Sequence, residues 1–305
     1  QMTGDRNGRF VNIIGDAGIG KSRLLTEFNI QASHISAQFI KGQSFVYRKA
    51  VTYWLLQNIL LSLFDIDSAE LITELATKLK QTLPVTDNND FDEVLPYFEF
   101  LFSVPYSNPS RAKFIQYLPP EQLRAQIFRL ARELLFHQSQ TLPIVVIIED
   151  FQWADSASVE FIQSMIETMQ HQAIMLVIAS RPSQDPAIES IYNSAQNILK
   201  TRSSFIELTP LSTDQTGRLL SELSSVTSLP EEIYHQIIER VAGIPLYAEE
   251  VIRSMRDEGI IFQENGHWDI KENAKLEFKG NSDTIEGLIL SRFDNLDPTS
   301  RNVLK

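Results

Sequence analysis

The sequence predicts an α/β fold, a three-layer sandwich built on a five-stranded parallel sheet. An apolar run at 10–14 leads through Gly15-Asp16-Ala17-Gly18-Ile19-Gly20-Lys21-Ser22 into a stretch with helical spacing. Strand, glycine turn and helix start are the setting that the phosphate-loop pattern G-x-x-x-x-G-K-[ST] needs. Two further runs, 144–149 and 174–179, are rich in β-branched residues and do not alternate with polar ones. Such strands are covered on both faces, as at the centre of a parallel sheet. Strand-like and helix-like stretches alternate from residue 10 to about 208, which makes βα units the economical reading.

The glycines of the first motif let successive backbone N–H groups converge, and the helix start adds positive potential at the same point. Lys21 would reach the β- and γ-phosphates of a nucleotide, and the Ser22 hydroxyl would sit on magnesium. Leu24, Leu25 and Phe28 give the following helix an apolar face. Ala37-Gln38-Phe39-Ile40, running into Lys41-Gly42, reads as the second strand. From 51 to about 137 the pattern is helical, punctuated at 86–90 and 105–109, and it stands between two strands as an insertion. A lid or a platform for a protein partner fits that position. Tyr53, Trp54, Tyr97 and Phe98 serve either as a partner surface or as the insertion's own core. Its last helix, from about Pro120 to His137, carries Leu123, Ile127, Leu130 and Leu134 on one face.

The strand at 144–149 closes on Glu149-Asp150, two carboxylates at its carboxyl end, where open α/β sheets bind ligands. Asp155 or Ser156 caps the next helix, whose buried face carries Ile162, Met165, Ile166 and Met169. The strand at 174–179 ends at Ser180-Arg181-Pro182. An arginine there either reaches a γ-phosphate or forms a surface ion pair. Residues 205–208 supply the fifth strand.

Beyond Pro210 the character changes. Ser212-Thr213-Asp214-Gln215 is a capping-box pattern, and Ser228-Leu229-Pro230-Glu231 is another. Ile233, Ile237 and Val241 share one side of the second helix, which Gly243 ends. Pro245 takes a first-turn position in the next helix, with Val251, Ile252 and Met255 facing inward and Gly259 stopping it. A small helical domain over 210–258 follows a sheet domain over 1–209, whose insertion spans about 46–138. Asn265-Gly266 between two apolar runs marks a hairpin. Ile285, Leu288, Ile289 and Phe293 then share a helix, and Asp297-Pro298 begins another within the segment 259–305.

Composition narrows the function classes. With a net charge of −12 and no basic stripe interleaved with aromatics, a large nucleic-acid footprint is not expected. Cysteine is absent, so disulfides and thiolate metal sites are ruled out, and His34, His137, His171, His235 and His267 lack metal-ligand spacing. No run is long enough to span a bilayer, and no signal segment opens the chain. A cytoplasmic protein with no membrane role is the expectation. The chain opens at Gln1 and stops inside a helical pattern, and so reads as a piece of something longer.

The chain resembles the ATPase module of the signal-transduction ATPases with numerous domains (the STAND or NACHT-like group), a branch of the AAA-like P-loop NTPases. It is most similar to the variety found beside class III adenylate/guanylate cyclases, serine/threonine kinases and LuxR-type regulators. The resemblance is carried by GDAGIGKSRLLTEF (15–28), GQSFVYRKAVTYW (42–54), IIEDFQWADSASVEF (147–161), ASRP (179–182), LTPLS (208–212), AGIPLYAEEV (242–251) and LILSRFDNLDP (288–298). It implies a strand order of 5-1-4-3-2, a small helical domain and the start of a winged helix from about 283. It implies ATP or ADP with Mg²⁺ as ligands, bound by Gly15 to Arg23 (Gly15, Asp16, Ala17, Gly18, Ile19, Gly20, Lys21, Ser22, Arg23) and by Pro245, which would pack on adenine. Glu149 would hold the magnesium shell with Ser22, Asp150 would polarise the attacking water, and Arg181 would sense the γ-phosphate. Effector domains in the same longer chain are the implied partners.

Three departures qualify the resemblance. The acidic pair is Glu-Asp, where typical AAA ATPases carry Asp then Glu. No residue stands out as an arginine finger. The segment usually found before the first strand is missing, and the winged helix is cut short. A slow, nucleotide-gated regulatory switch is therefore the leading reading. A small-molecule kinase of the P-loop class, or a nucleotide-binding scaffold without turnover, are the alternatives.

Overall fold

The computed structural model describes residues 6–67, 69–83, 88–183, 185–224, 230–264 and 267–271. By internal contacts the chain divides into two compact units, Gln1–Ile14 with Ser22–Glu207, and Gly15–Lys21 with Leu208–Lys305.

In the first unit, β1 (Arg9–Gly15), β2 (Gln38–Gln43), β3 (Ile144–Glu149), β4 (Ile174–Ser180) and β5 (Ser203–Leu208) form one sheet in the order β2-β3-β4-β1-β5. This is the expected order 5-1-4-3-2 read from the other edge. Parallel register sets Ile14 beside Ser180, Ile148 beside Ile178 and Gln43 beside Glu149. The carboxyl ends of the central strands therefore align at one edge. Ile144, Val145, Val146, Ile147 and Ile148 of β3 are all buried, as are all but one residue of β4, because helices cover both faces. β5 is the exception, an edge strand with Phe205 and Ile206 exposed.

Between strands run α1 (Lys21–Ala32), α2 (Trp54–Phe64), α3 (Leu71–Thr82), α4 (Asn88–Leu101), α5 (Pro109–Tyr117), α6 (Pro120–Thr141), α7 (Ser156–Thr168) and α8 (Pro186–Leu199). One continuous apolar cluster joins Phe10, Ile40, Val146 and Ile178 of the sheet to Leu56, Ile59, Phe98 and Leu134 of the insertion and Phe161 of α7. The insertion is thus a wall of the same core rather than a detached lid. Gly42 makes this possible: a Cβ there would come within 2.8 Å of Leu55 and 2.9 Å of Ile59 on α2. The partner-surface reading of the insertion's aromatics gives way to packing. Phe98 is fully buried, Tyr53 and Tyr97 pack on the core, and Trp54 lies half-buried beneath Arg48. Among the aromatics that the insertion does expose are Phe114 and Tyr117.

In the second unit, α9 (Thr213–Ser224), α10 (Glu231–Val241) and α11 (Pro245–Asp257) close around Leu220, Ile237, Val241, Ala248, Ile252 and Met255. The first capping box is realised reciprocally: Ser212 N–H donates to Gln215 Oε1 at 2.9 Å, and Gln215 N–H to Ser212 Oγ at 3.3 Å. Ser228 of the second capping pattern lies outside the described residues, and α10 starts at Glu231 directly after Pro230. β6 (Ile261–Glu264) and β7 (His267–Ile270) pair antiparallel, as the hairpin reading expects. Their turn, Asn265-Gly266, and the helices and winged helix expected from Ile285 and Asp297 onward lie outside the described residues. Among the described residues no helix is long and apolar enough to cross a membrane.

Candidate nucleotide-binding site

The loop Gly15–Lys21 belongs to the second unit, with α9 to α11. Gly18 and Gly20 take left-handed backbone angles, φ 76° and 106°, which glycine adopts without a side-chain penalty. At Gly20 an added Cβ would meet nothing within 4 Å, so this part of the loop is open. At Gly18 it would lie 2.9 Å from Leu246, because the first turn of α11 rests on the loop. Leu246 N–H donates to the Gly18 carbonyl at 3.2 Å, which places Pro245, its neighbour at the head of α11, beside the loop. Lys21 Nζ donates to the carbonyls of Gly15 at 2.7 Å and Asp16 at 2.9 Å. Its ammonium is thereby held at the loop. Ile19 is buried and tightens the turn through its N–H on the Asp16 carbonyl, next to half-buried Ala17. Arg23 points away into an i,i+4 pair with Glu27 at 2.6 Å and is 78% exposed.

In the first unit, Ser22 stands in the first turn of α1 and Glu149 ends β3. Ser22 Oγ donates to Glu149 Oε2 at 2.7 Å. A hydroxyl and a carboxylate are hard oxygen donors, and one or two such protein ligands completed by phosphate oxygens and water is how magnesium is commonly held. The residues present fit that ion. Among the described residues no group of three or more histidine or acidic side chains is placed to hold a metal ion.

Asp150 leaves the strand in the left-handed region, φ 55°, and the chain turns at once into a short 3-10 segment anchored by fully buried Phe151. Gln152, in that turn, donates from Nε2 to Asp150 Oδ1 at 3.1 Å. Its Oε1 accepts the N–H of Arg181 at 3.0 Å. One glutamine therefore bridges the acid after β3 and the arginine after β4, whose side chain is exposed. Sequence reasoning missed Gln152, because its role depends on β3 and β4 being neighbours.

Asp155 caps α7 as expected, its Oδ1 accepting Ser158 N–H at 3.0 Å. The same carboxylate, only 3% exposed, also accepts Tyr53 N–H at 2.8 Å, Leu55 N–H at 3.4 Å and the Ser158 hydroxyl at 2.7 Å. It thus ties the loop after the acidic pair to the start of α2. At the end of β4, Ser180 Oγ and the Tyr192 hydroxyl are 2.9 Å apart. Burial pushes the Tyr192 phenol above its usual value, and the hydrogen bond to Ser180 opposes the rise.

The chain is similar to the proteins named adenylate cyclase type 10 from Rattus norvegicus, Oryctolagus cuniculus and Mus musculus, at 22%, 23% and 22% identity over 85%, 79% and 85% of its length. It spans only 16%, 14% and 15% of those proteins. The solved structure of the Aeropyrum pernix ORC2 protein in ADPNP–ADP complexes aligns over 83% of this chain and 58% of its own, with 10% identity and a TM-score of 0.39. The family model of the AAA ATPase domain matches residues 2–178, and the chain, with its phosphate loop and the acidic strand end beside Ser22, belongs to that family.

Proposed function

We propose that this AAA ATPase domain is the nucleotide-gated regulatory module of a longer signalling protein of the STAND type, binding ATP with magnesium and hydrolysing it slowly. The observation that carries the reading is the bond from Ser22 Oγ to Glu149 Oε2, which brings together two magnesium-compatible oxygens, one on the residue that follows the phosphate loop in sequence. The loop N–H groups and Lys21 would hold the phosphates, and Pro245 would pack on the adenine. Magnesium, which Ser22 and Glu149 would hold, would supply the positive charge that offsets the phosphates. Asp150 accepts a proton from the attacking water, Gln152 fixes the orientation of Asp150, and Arg181 reads the γ-phosphate. Asp150 reaches one methylene less far than a glutamate would, and its backbone is held in a left-handed turn. Slow turnover follows from that short reach.

The regulatory part rests on the loop's grouping with α9 to α11. Leu246 N–H is bonded to the Gly18 carbonyl, so a phosphate that reshapes the loop acts on α11 without an intermediary. The similarity to adenylate cyclase type 10 supports a cyclase as one class of attached effector. The decisive experiment denatures the purified protein and identifies any released nucleotide, with Lys21→Ala as control, and then follows phosphate release. ADP or ATP from the wild type alone, with turnover below about 1 per second against about 10 for a median enzyme, is expected. No released nucleotide and no saturable ATP–magnesium binding would overturn the reading. Fast turnover would overturn the slow-switch part of it.

A further inference from the structure

Within the insertion, a cleft of about 610 Å³ opens where the start of α2, the end of α4 and the start of α6 meet. Thr52, Tyr53, Glu99, Phe100, Tyr106 and Leu123 are among the residues that line it. The walls are largely apolar and aromatic, yet Glu99 on α4 is only 3% exposed. Its Oε1 is satisfied by the backbone N–H of Ser107, at 2.8 Å, and by the Ser107 hydroxyl. Its Oε2 meets no hydrogen-bond donor. The lining residues include no lysine or arginine to balance the charge. Burial, and then the charge of Glu99, push the Tyr106 phenol upward, in keeping with a carboxylate set close to this wall.

A buried carboxylate with one oxygen unmet is costly, and native proteins keep such a group where something completes it. A cation completes it best, because it supplies both the missing donor and the opposite charge. Tyr53, Phe100 and Tyr106 add aromatic side chains, a residue type that attracts organic cations. The volume falls in the range of small-molecule sites. We propose that this cleft binds a small organic cation, an amine or guanidine on an apolar body, whose charged head pairs with the Glu99 carboxylate while its body lies among the aromatic side chains. This site lies outside the proposed nucleotide machinery and does not depend on it.

The test is calorimetric titration of the full chain with benzylamine and phenylguanidine, using benzyl alcohol as the neutral counterpart. Saturable binding of the cations is expected, with benzyl alcohol weaker by about tenfold or more. Glu99→Gln keeps an acceptor for Ser107 but removes the charge, and should weaken the cations by about tenfold or more. Thr52→Trp, at the exposed rim, fills the cleft while leaving Glu99 itself in place, and should also abolish binding. ATP–magnesium binding, measured in parallel, should be the same in both variants as in the wild type. Failure of either cation to saturate, equal binding of benzyl alcohol, or wild-type affinity in both variants would overturn the proposal.

Discussion

Ser22 and Glu149 stand 127 residues apart in the chain and are joined by a hydrogen bond of 2.7 Å. The link closes the start of α1 onto the last residue of β3, where a divalent ion would find both oxygens. Ser22→Ala removes one of them without disturbing the sheet. ATP affinity in the presence of magnesium should fall about tenfold or more, while affinity for nucleotide with magnesium chelated should change much less. Parallel titrations with and without the metal check this.

Gln152 holds the carboxylate of Asp150 and the backbone of Arg181 with opposite ends of one amide. If Asp150 has the proposed water-activating role, Gln152→Ala should lower turnover about ten- to hundredfold and leave nucleotide affinity nearly unchanged, because it loosens that carboxylate rather than a binding contact. Steady-state rates alongside equilibrium binding separate the two effects. Loss of affinity with unchanged turnover would count against the positioning role.

Gly18 is constrained twice, by φ 76° and by Leu246 at 2.9 Å from any added Cβ, whereas Gly20 is constrained by φ alone. Gly18→Ala should cost about 1–3 kcal/mol of stability and disturb the seat of α11. Gly20→Ala should cost less, because the new methyl meets open space. Urea unfolding of the two variants compares them directly.

Asp155 accepts from Tyr53, Leu55 and Ser158 while almost fully buried. Asp155→Ala leaves those donors without a partner and should cost about 3 kcal/mol. Asp155→Asn keeps the oxygen that receives Tyr53 and Ser158 and should cost less. The measurement is again equilibrium unfolding, with near-ultraviolet dichroism reporting the surroundings of Tyr53.

Tyr192 gives a pH signature. Its phenol is raised above 10.0 by burial, so from about pH 10 upward the unfolded chain releases a proton that the folded chain still holds. Stability is therefore unaffected by this group below about pH 10 and falls as pH climbs from there toward the raised folded value. Tyr192→Phe should flatten that alkaline decline, at a cost of about 1 kcal/mol near neutrality for the lost bond to Ser180. Unfolding midpoints across the alkaline range test both parts.

What was legible in the linear chain was whatever is encoded locally. The phosphate loop, the unbroken β-branched run of β3, the Ser212/Gln215 cap and the proline at the head of α11 each depend on residues a few positions apart. Propensity, periodicity and backbone freedom act over that range, so these elements could be read before any packing was known. Ser22 and Glu149 were foreseen as partners only because each lies in a motif of its own.

Tertiary structure alone decided the rest. Gln152 became a bridge because β3 and β4 are neighbours, and Gly42 became a contact because α2 settles on β2. Phe98 of the insertion became core, and Glu99 came to rest buried, bonded to Ser107. The phosphate loop grouped with helices that begin only at Thr213, far along the chain. No spacing rule announces such relationships, because each arises when surfaces distant in sequence exclude water together. The side chains that then meet, or stay unmet, are settled by the shape of that packing.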